Sequence, residues 1–207
     1  MPAEWEPHAG TLLSWPCNRD TWPGARLPRV EQVYAHIIKE ITRREMLHLM
    51  VHDDGGRTLK RVRAVLGRFD VDWANITLHH IPSNDVWARD FGPIFVRRNA
   101  GEYAITNWKF NAWGGKYPPF EDDDRVPAYF AERFGLPVFS PPVVLEGGSI
   151  ETNGAGVLLT TESVLLNSNR NPQLSKAEIE EYLKAYLGQE TIIWLKSGLA
   201  GDDTDGH

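Results

Sequence analysis

The stretch SKAEIEEYLKAYLGQETIIWL, residues 175–195, shows the pattern that decides the fold. Ser175 is a favourable N-cap residue, and Glu178 three positions later completes a capping box. Apolar residues then recur at helical spacing, at Ile179, Tyr182, Leu183, Tyr186 and Leu187. Gly188 is a natural helix stop. The stretch therefore predicts a helix over 176–187, followed by a buried strand at TIIWL, residues 191–195.

The same alternation of helix and strand patterns runs through the rest of the chain. Helical spacing is found over 30–41, 59–66 and 126–134, and strand patterns over 46–51, 76–81 and 143–148. A hairpin is predicted around Asn153-Gly154, and SVLLN, residues 163–167, could add another strand. In the strand 76–81, one ring of His79-His80 should point inward and the other outward. The fold class is therefore α/β with mixed sheets.

Residues 84–120 break this alternation. A strand at IFV, a charged turn over 97–102 and a strand at YAITNW are followed by KFNAWGGKYPPF, residues 109–120. Long loops inside a compact domain are usually functional or disordered. The aromatic content of this loop argues against disorder.

Composition narrows the function classes. The net charge is -6 and 42% of the 207 residues are hydrophobic. An acidic chain of this kind is not expected to bind nucleic acid, which requires a basic face. A cationic ligand is compatible with the charge, although an ordinary acidic soluble protein accounts better for the charge alone. The N-terminus lacks signal-peptide features and no apolar run reaches membrane-spanning length, so a cytoplasmic protein without a membrane partner is predicted.

Cys17 is the single cysteine, so an internal disulfide and a zinc site made of thiolates alone are both excluded. It lies in a turn-like segment with no base beside it in the sequence. We interpret it as a passive residue and not as a nucleophile.

Three clusters could carry chemistry. In NDVWARDFGP, residues 84–93, Arg89 could pair with Asp85 or Asp90 and only tie down a loop. The aromatic face of Trp87 beside a carboxylate favours cation binding instead. In LEGG, Glu146 ends an apolar strand; a buried carboxylate is costly, so it is either exposed or meets a cation from the protein or a ligand.

The third cluster is GDDTDGH, residues 201–207. Its carboxylates and histidine could ligate a metal, but the spacing does not follow the calcium-loop pattern. A solvated acidic loop is a second interpretation. His207 among carboxylates should have a raised pKa, which suits proton transfer.

Taken together, the motifs resemble those of the agmatine deiminase family, which includes bacterial proteins labelled peptidylarginine deiminases. The resemblance covers the whole chain and is carried by NDVWARDFGP, NAWGGK, LEGGSIE, LLNSNRNP and GDDTDGH, in this order. It implies a pentein-like α/β propeller of strand–strand–helix–strand modules around a pseudo-five-fold axis, with the active site in the central channel. The chain would supply about three of five modules, as the N-terminal portion (1–207) of one domain without an internal boundary.

The resemblance also implies a reaction without metal or cofactor. A cysteine thiolate attacks a guanidinium carbon, ammonia leaves, and water hydrolyses the covalent intermediate. Asp90 is expected to bind the guanidinium, and Glu146 to lie in the site beside the histidine. His207 is the expected acid/base. Trp87 would cover the alkyl chain of the substrate, and Asp203 would pair with the distal amine of agmatine.

The chain departs from the family pattern in two ways. The nucleophilic cysteine of the family lies near the C-terminus, whereas Cys17 lies near the start of this chain and does not match it. A second guanidinium-binding carboxylate normally follows the histidine by two positions. Both are expected beyond the chain, so the 207 residues should be inactive alone. An incomplete ring should also leave strand edges exposed. Homo-oligomer formation is left open.

The substrate expected from the resemblance is a small cationic guanidino compound. Asp203 and Trp87 favour agmatine over peptidylarginine, which would require a cationic or backbone-reading group, and over free arginine. A non-catalytic fragment that binds guanidino ligands weakly is the alternative from another class. A metal hydrolase is the third, and a chelator would abolish its activity.

Overall fold

A computed structural model describes residues 1–98 and 101–207. The backbone forms two compact units. One comprises Pro7–Ala88, and the other comprises Met1–Glu6 together with Arg89–His207. The turn predicted over 97–102 includes Asn99 and Ala100, which lie outside the described residues. Within the described ranges, no helix has both the length and the apolar character needed to cross a membrane.

The unit Pro7–Ala88 is built on a parallel sheet with the strand order β1-β2-β3. Its strands are β1 (Thr11–Ser14), β2 (Leu47–His52) and β3 (Ile76–Ile81), and its helices are α1 (Arg26–Thr42) and α2 (Arg57–Leu66); a 3-10 turn lies at Trp73–Asn75. Parallel strands require crossover connections, which α1 and α2 supply. His79 is 1% exposed and His80 is exposed, as the alternation predicted.

One ion pair, with a buried carboxylate and a half-exposed guanidinium, joins the two helices of this unit. Glu31 on α1 is 2% exposed. Arg61 on α2 donates to it from Nε, at 2.9 Å to Oε1. A buried carboxylate is tolerated here because a guanidinium satisfies it.

The second unit contains two sheets, each with one antiparallel and one parallel strand pair. The first comprises β4 (Ile94–Arg98), β5 (Glu102–Thr106) and β6 (Val138–Phe139), and the second β7 (Glu151–Thr152), β8 (Val157–Thr161) and β9 (Thr191–Leu195). The helical segments are α3 (Ala88–Phe91), α4 (Ala112–Gly115), α5 (Val126–Phe134), α6 (Glu162–Leu165) and α7 (Lys176–Leu187), with 3-10 turns at Asp123–Arg125 and Gly147–Ser149.

In both sheets the chain runs through two antiparallel strands, then a long helix, then a third strand parallel to the second. The mixed α/β class predicted from the sequence is therefore confirmed. Ile179, Leu183 and Leu187 of α7 are fully buried and form a core cluster with Leu158 of β8. The propeller arrangement and the count of three modules out of five stay predictions.

Helix α7 matches its prediction at both ends. Ser175 Oγ accepts from Glu178 N at 3.3 Å, and Ser175 N donates to Glu178 Oε2 at 2.8 Å. Gly188 closes the helix with φ = 64°. The hairpin around Asn153-Gly154 and the strand at 191–195 are also confirmed.

The prediction that the strand 191–195 is buried is wrong. Ile193 is 46% exposed and Leu195 is 47% exposed. β9 forms the edge of its sheet and pairs with β8 alone among the described strands, so one face of its apolar run remains open to solvent.

Two predicted strands are absent from the described structure. In 143–148, Val144 forms only an isolated bridge with Lys109, because the side chain of Asn171 occupies both its N and O at 2.9 Å. SVLLN lies largely in the single turn α6. A short apolar run is compatible with the periodicity of a helix or of a strand. Here it forms a helical turn, in which Val164 and Leu165 are completely buried.

Candidate active site

Three ionisable side chains from separate segments meet in the unit that contains Arg89–His207. Asp90 comes from the single turn α3 and is 7% exposed, and Glu146 precedes the 3-10 turn and is fully buried. His207 Nε2 lies 3.3 Å from Asp90 Oδ1. The charge of Glu146 acts on His207 as well. The structure therefore brings together the three residues predicted to be catalytic.

Gly148 fits between two of these residues. Its N–H donates to Asp90 Oδ1 at 3.1 Å. A Cβ at this position would lie 2.2 Å from Asp90 Oδ1 and 2.9 Å from His207 Cδ2. The space beside this glycine is thus taken by the site's own side chains, and the glycine lets them approach the backbone closely.

A compact loop over 202–207 carries His207. The carboxylate of Asp202 accepts from Gly206 N at 2.7 Å and from Thr204 N at 3.1 Å. Thr204 Oγ1 lies 2.5 Å from His207 Nδ1. The hydrogen bond with Asp90 raises the pKa of His207 against the opposing effect of burial. An imidazole with a raised pKa is protonated over a wider pH range than an ordinary histidine, and it can deliver its proton to a leaving group.

Arg170 supplies the cation that Glu146 requires. Burial raises the pKa of Glu146, and the charge and hydrogen bond of Arg170 oppose that rise. Arg170 Nε donates to Glu146 Oε1 at 2.6 Å. Glu146 Oε2 is also buried, yet it has no hydrogen-bond partner within residues 1–98 and 101–207. One oxygen is therefore satisfied by the protein, and the other can accept from a ligand.

Arg170 and Asp205 are site components that the sequence reasoning missed. Arg170 Nη1 donates to Asp205 Oδ2 at 2.7 Å. Burial raises the pKa of Asp205, but hydrogen bonds from Lys116, Asn169 and Arg170 outweigh it and bring the pKa to about 2. The motif LLNSNRNP pointed to this segment as distinctive, without showing that its arginine is buried.

The loop NAWGGK, residues 111–116, is ordered and reaches His207. Ala112 and Trp113 adopt φ = 52° and φ = 56°, so α4 is a left-handed turn and not a regular helix. Asn111 Oδ1 accepts from Gly114 N at 2.8 Å and holds this turn. The indole of Trp113 stacks on the ring of His207 at a centroid distance of 6.4 Å. A residue other than glycine in the left-handed backbone conformation costs about 1–3 kcal/mol, and such strained residues cluster at functional sites.

Asp203 lies on the loop of His207 and is exposed. Tyr117 Oη donates to its carboxylate. Lys116 Nζ donates to the backbone oxygen of Asp203 at 2.5 Å and to Asp205 Oδ1 at 2.7 Å. Trp87 belongs to the other compact unit, where it is 43% exposed, and its role in covering the substrate stays a prediction.

The ion pairs suggested for Arg89 are wrong. Arg89 pairs with Glu4 and, at 3.9 Å, with Glu151, and it donates to Ile150 O at 3.1 Å. Asp85 instead accepts from Val86 N at 2.8 Å. The carboxylate of Asp90 therefore interacts with Gly148 N and His207 Nε2 and not with Arg89.

No cluster of three or more His, Cys, Asp or Glu side chains in the described part of the chain could hold a metal ion. Cys17 is a partly buried thiol in the other unit. It lines a cavity of about 600 Å³ together with Trp15, Leu27 and Arg61.

Comparison with known proteins places the chain in a family. A model of the Porphyromonas-type peptidyl-arginine deiminase family matches residues 1–207. The chain belongs to this family. The resemblance inferred from its motifs is therefore confirmed.

Relatives within the family are named agmatine deiminases. Putative agmatine deiminases of Legionella pneumophila (strain Philadelphia 1) and Vibrio parahaemolyticus are 40% and 42% identical to this chain over its full length. The match covers 57% and 56% of those relatives. The agmatine deiminase of Enterococcus faecalis superposes with a TM-score of 0.89 at 35% identity, covering all of this chain and 55% of that structure. The chain thus spans little more than half the length of the family members it matches.

Proposed function

We propose that the protein carrying this chain is a guanidine deiminase that hydrolyses agmatine to N-carbamoylputrescine and ammonia. The observation that carries this proposal is the buried, unbonded Oε2 of Glu146 beside Asp90 and His207. A guanidinium offers planar N–H donors that form strong paired hydrogen bonds with carboxylates. Both compact units belong, in this proposal, to one pentein-like deiminase domain of a cytoplasmic enzyme.

Each of the three residues has a separate role. Asp90 accepts hydrogen bonds from the guanidinium and fixes its plane, together with a second carboxylate supplied outside these 207 residues. Glu146 lies beside His207 in the site, where its open oxygen can accept from the same group. A cysteine thiolate supplied outside these 207 residues adds to the central carbon, and the C–N bond to the departing nitrogen breaks. His207 donates the proton that lets ammonia leave, which gives a covalent amidino-cysteine intermediate. It then removes a proton from the water that attacks the amidino carbon, and the C–S bond breaks. The thiolate is thereby regenerated.

The charges around Asp203 support agmatine over peptidylarginine. The neighbouring cation, Lys116, forms its ion pair with Asp205, with Nζ 2.7 Å from Oδ1. Tyr117 contributes only a neutral hydroxyl, since its hydrogen bond to Asp203 raises the pKa of the phenol. The side-chain partner of the Asp203 carboxylate is therefore a neutral hydroxyl, and a carboxylate with such a partner can still bind a primary amine.

The assay uses the longest natural polypeptide that contains these residues. Agmatine, a peptidylarginine substrate and free arginine are supplied separately, and ammonia and the mass of the carbamoyl product are measured. We expect turnover of agmatine, and Asp203→Asn should raise KM for agmatine about tenfold or more with little change in kcat. Turnover of peptidylarginine instead would favour that alternative, and activity lost with a chelator would favour a metal hydrolase.

Two variants test the assignment of the chemistry. Asp90→Asn should reduce kcat/KM at least about 100-fold, because the guanidinium loses a charged acceptor. Cys17→Ser is the matched control and should turn over normally. Loss of activity in Cys17→Ser would make Cys17 the nucleophile. The chain 1–207 alone should release no ammonia, and no turnover by the longer polypeptide would leave the non-catalytic interpretation.

A further inference from the structure

Arg170 is a completely buried charge that the proposed reaction does not use. Its side chain is 0% exposed. Nε bonds Glu146, Nη1 bonds Asn169 Oδ1 at 2.8 Å and Asp205 Oδ2 at 2.7 Å, and Nη2 donates to Thr204 O at 3.1 Å. Every nitrogen of the guanidinium thus has an acceptor.

A buried arginine is costly to desolvate and is retained where its geometry is well satisfied. Here one end of the guanidinium binds only one oxygen of Glu146. The other oxygen, Oε2, is left without a partner in the described ranges. Burial holds the pKa of this carboxylate above its ordinary value, and the charge and hydrogen bond of Arg170 are the largest influences that lower it.

The other end of the guanidinium binds the loop that carries His207. Asp205 and Thr204 are its acceptors there. The next residue of the loop, Gly206, is held from another side by Thr161 Oγ1, which donates to its backbone oxygen at 3.0 Å. One side chain therefore connects the carboxylate of Glu146 with the segment that positions the imidazole.

We propose that Arg170 is a positioning residue that stabilises the charged form of Glu146 while leaving one of its oxygens free, and that it holds the loop 202–207 so that His207 faces Asp90. The structural part concerns Glu146 and the loop, and the effect on turnover rests on the proposed function. The charges of both Arg170 and His207 act on Glu146, and Asp90 lies beside His207.

The structural part is tested without an activity assay. In the longest natural polypeptide labelled with ¹³C at the glutamate carboxyl carbons, the Glu146 signal is identified by its absence in Glu146→Gln and is titrated by NMR. Arg170→Gln should raise the pKa of Glu146 by at least about 1, because burial is no longer opposed by a cation. An unchanged titration would overturn the proposal.

Arg61→Gln is the matched control, since Arg61 also satisfies a buried glutamate, Glu31, but does so in the other compact unit. It should lower thermal stability without changing the titration of Glu146. If Arg170→Gln does not fold, the kinetic comparison with Arg170→Lys carries the test of the positioning role. A lysine keeps the charge but cannot reach Glu146, Asp205 and Thr204 together.

The kinetic part uses the same variants. Arg170→Lys should reduce kcat at least about tenfold with a smaller change in KM, and Arg170→Gln should also move the acidic limb of the pH profile upward. Wild-type kcat and pH profile in Arg170→Lys would refute the positioning role. If the unaltered protein turns over no guanidino substrate but Arg170→Gln still raises the pKa of Glu146, the proposed function fails and the structural role of Arg170 stands.

Discussion

At the scale of single residues, the contact between Asp90 and His207 makes stability depend on pH. The pKa of His207 is raised in the folded state, so its contribution is fully present below about pH 6.5, the ordinary value for histidine. It is lost as the pH rises through the raised value. Asp90→Asn should therefore reduce the free energy of unfolding more at pH 6 than at pH 9, as measured by urea denaturation.

A second background isolates the imidazole in this measurement. In His207→Gln, the effect of Asp90→Asn should no longer differ between pH 6 and pH 9, since the titrating partner is gone. A difference that persists in this background would show that the pH dependence comes from another group.

Gly148 should tolerate no side chain. Alanine would place a methyl group 2.2 Å from Asp90 Oδ1 and 2.9 Å from His207 Cδ2. We expect Gly148→Ala to reduce kcat/KM by about 100-fold, because small displacements of site groups have effects of this size. Gly156→Ala is the control: its φ of 89° is strained for alanine, but the nearest neighbour is Glu190 at 3.4 Å. Equal losses of activity in both variants would attribute the effect to general destabilisation.

The sequence predicted the site residues whose motifs are distinctive, and it missed the contacts that depend on three-dimensional packing. Asp90, Glu146 and His207 do meet, as the motifs suggested. Arg170 could not be assigned, because its burial and its bond to Glu146, 24 positions away, follow from packing. The role of Trp113 was equally hidden, since a left-handed backbone conformation at a tryptophan has no sequence signal.

At the scale of elements, the N-terminus of α7 is fixed by its capping box. Ser175→Ala removes the acceptor of Glu178 N and should lower the free energy of unfolding by about 1 kcal/mol. Ser168→Ala, at an exposed position of the same unit, should change it by no more than about 0.5 kcal/mol. Denaturant unfolding of both variants is the measurement, and equal stabilities would contradict the role of the cap.

The elements that the sequence predicted well are those with strong local signals. α7 has a cap, an apolar face and a glycine stop, and all three appear in the structure. The run 143–148 has only an apolar pattern, and this pattern does not show which group forms hydrogen bonds with its backbone. That partner is the side chain of Asn171, so the segment is extended without joining a sheet.

At the scale of the whole molecule, the open edge at β9 should make the 207-residue chain self-associate. Ile193 and Leu195 are 46% and 47% exposed on an edge strand, and such edges pair readily with other chains. Ile193→Lys should shift the chain 1–207 toward smaller species in analytical ultracentrifugation. Thr191→Lys, at the start of the same strand, is the matched control for charge. An unchanged mass distribution in Ile193→Lys would contradict the role of this edge.

The burial of the Arg170 guanidinium determines whether the protein could modify its own arginine. A protein that modifies guanidino groups carries potential targets in its own arginines, and Arg170 lies directly against a carboxylate of the site. Its nitrogens are all occupied, and its side chain is 0% exposed, so neither a nucleophile nor water has a path to its central carbon. The packing that stabilises this arginine therefore also protects it from the chemistry proposed a few ångströms away.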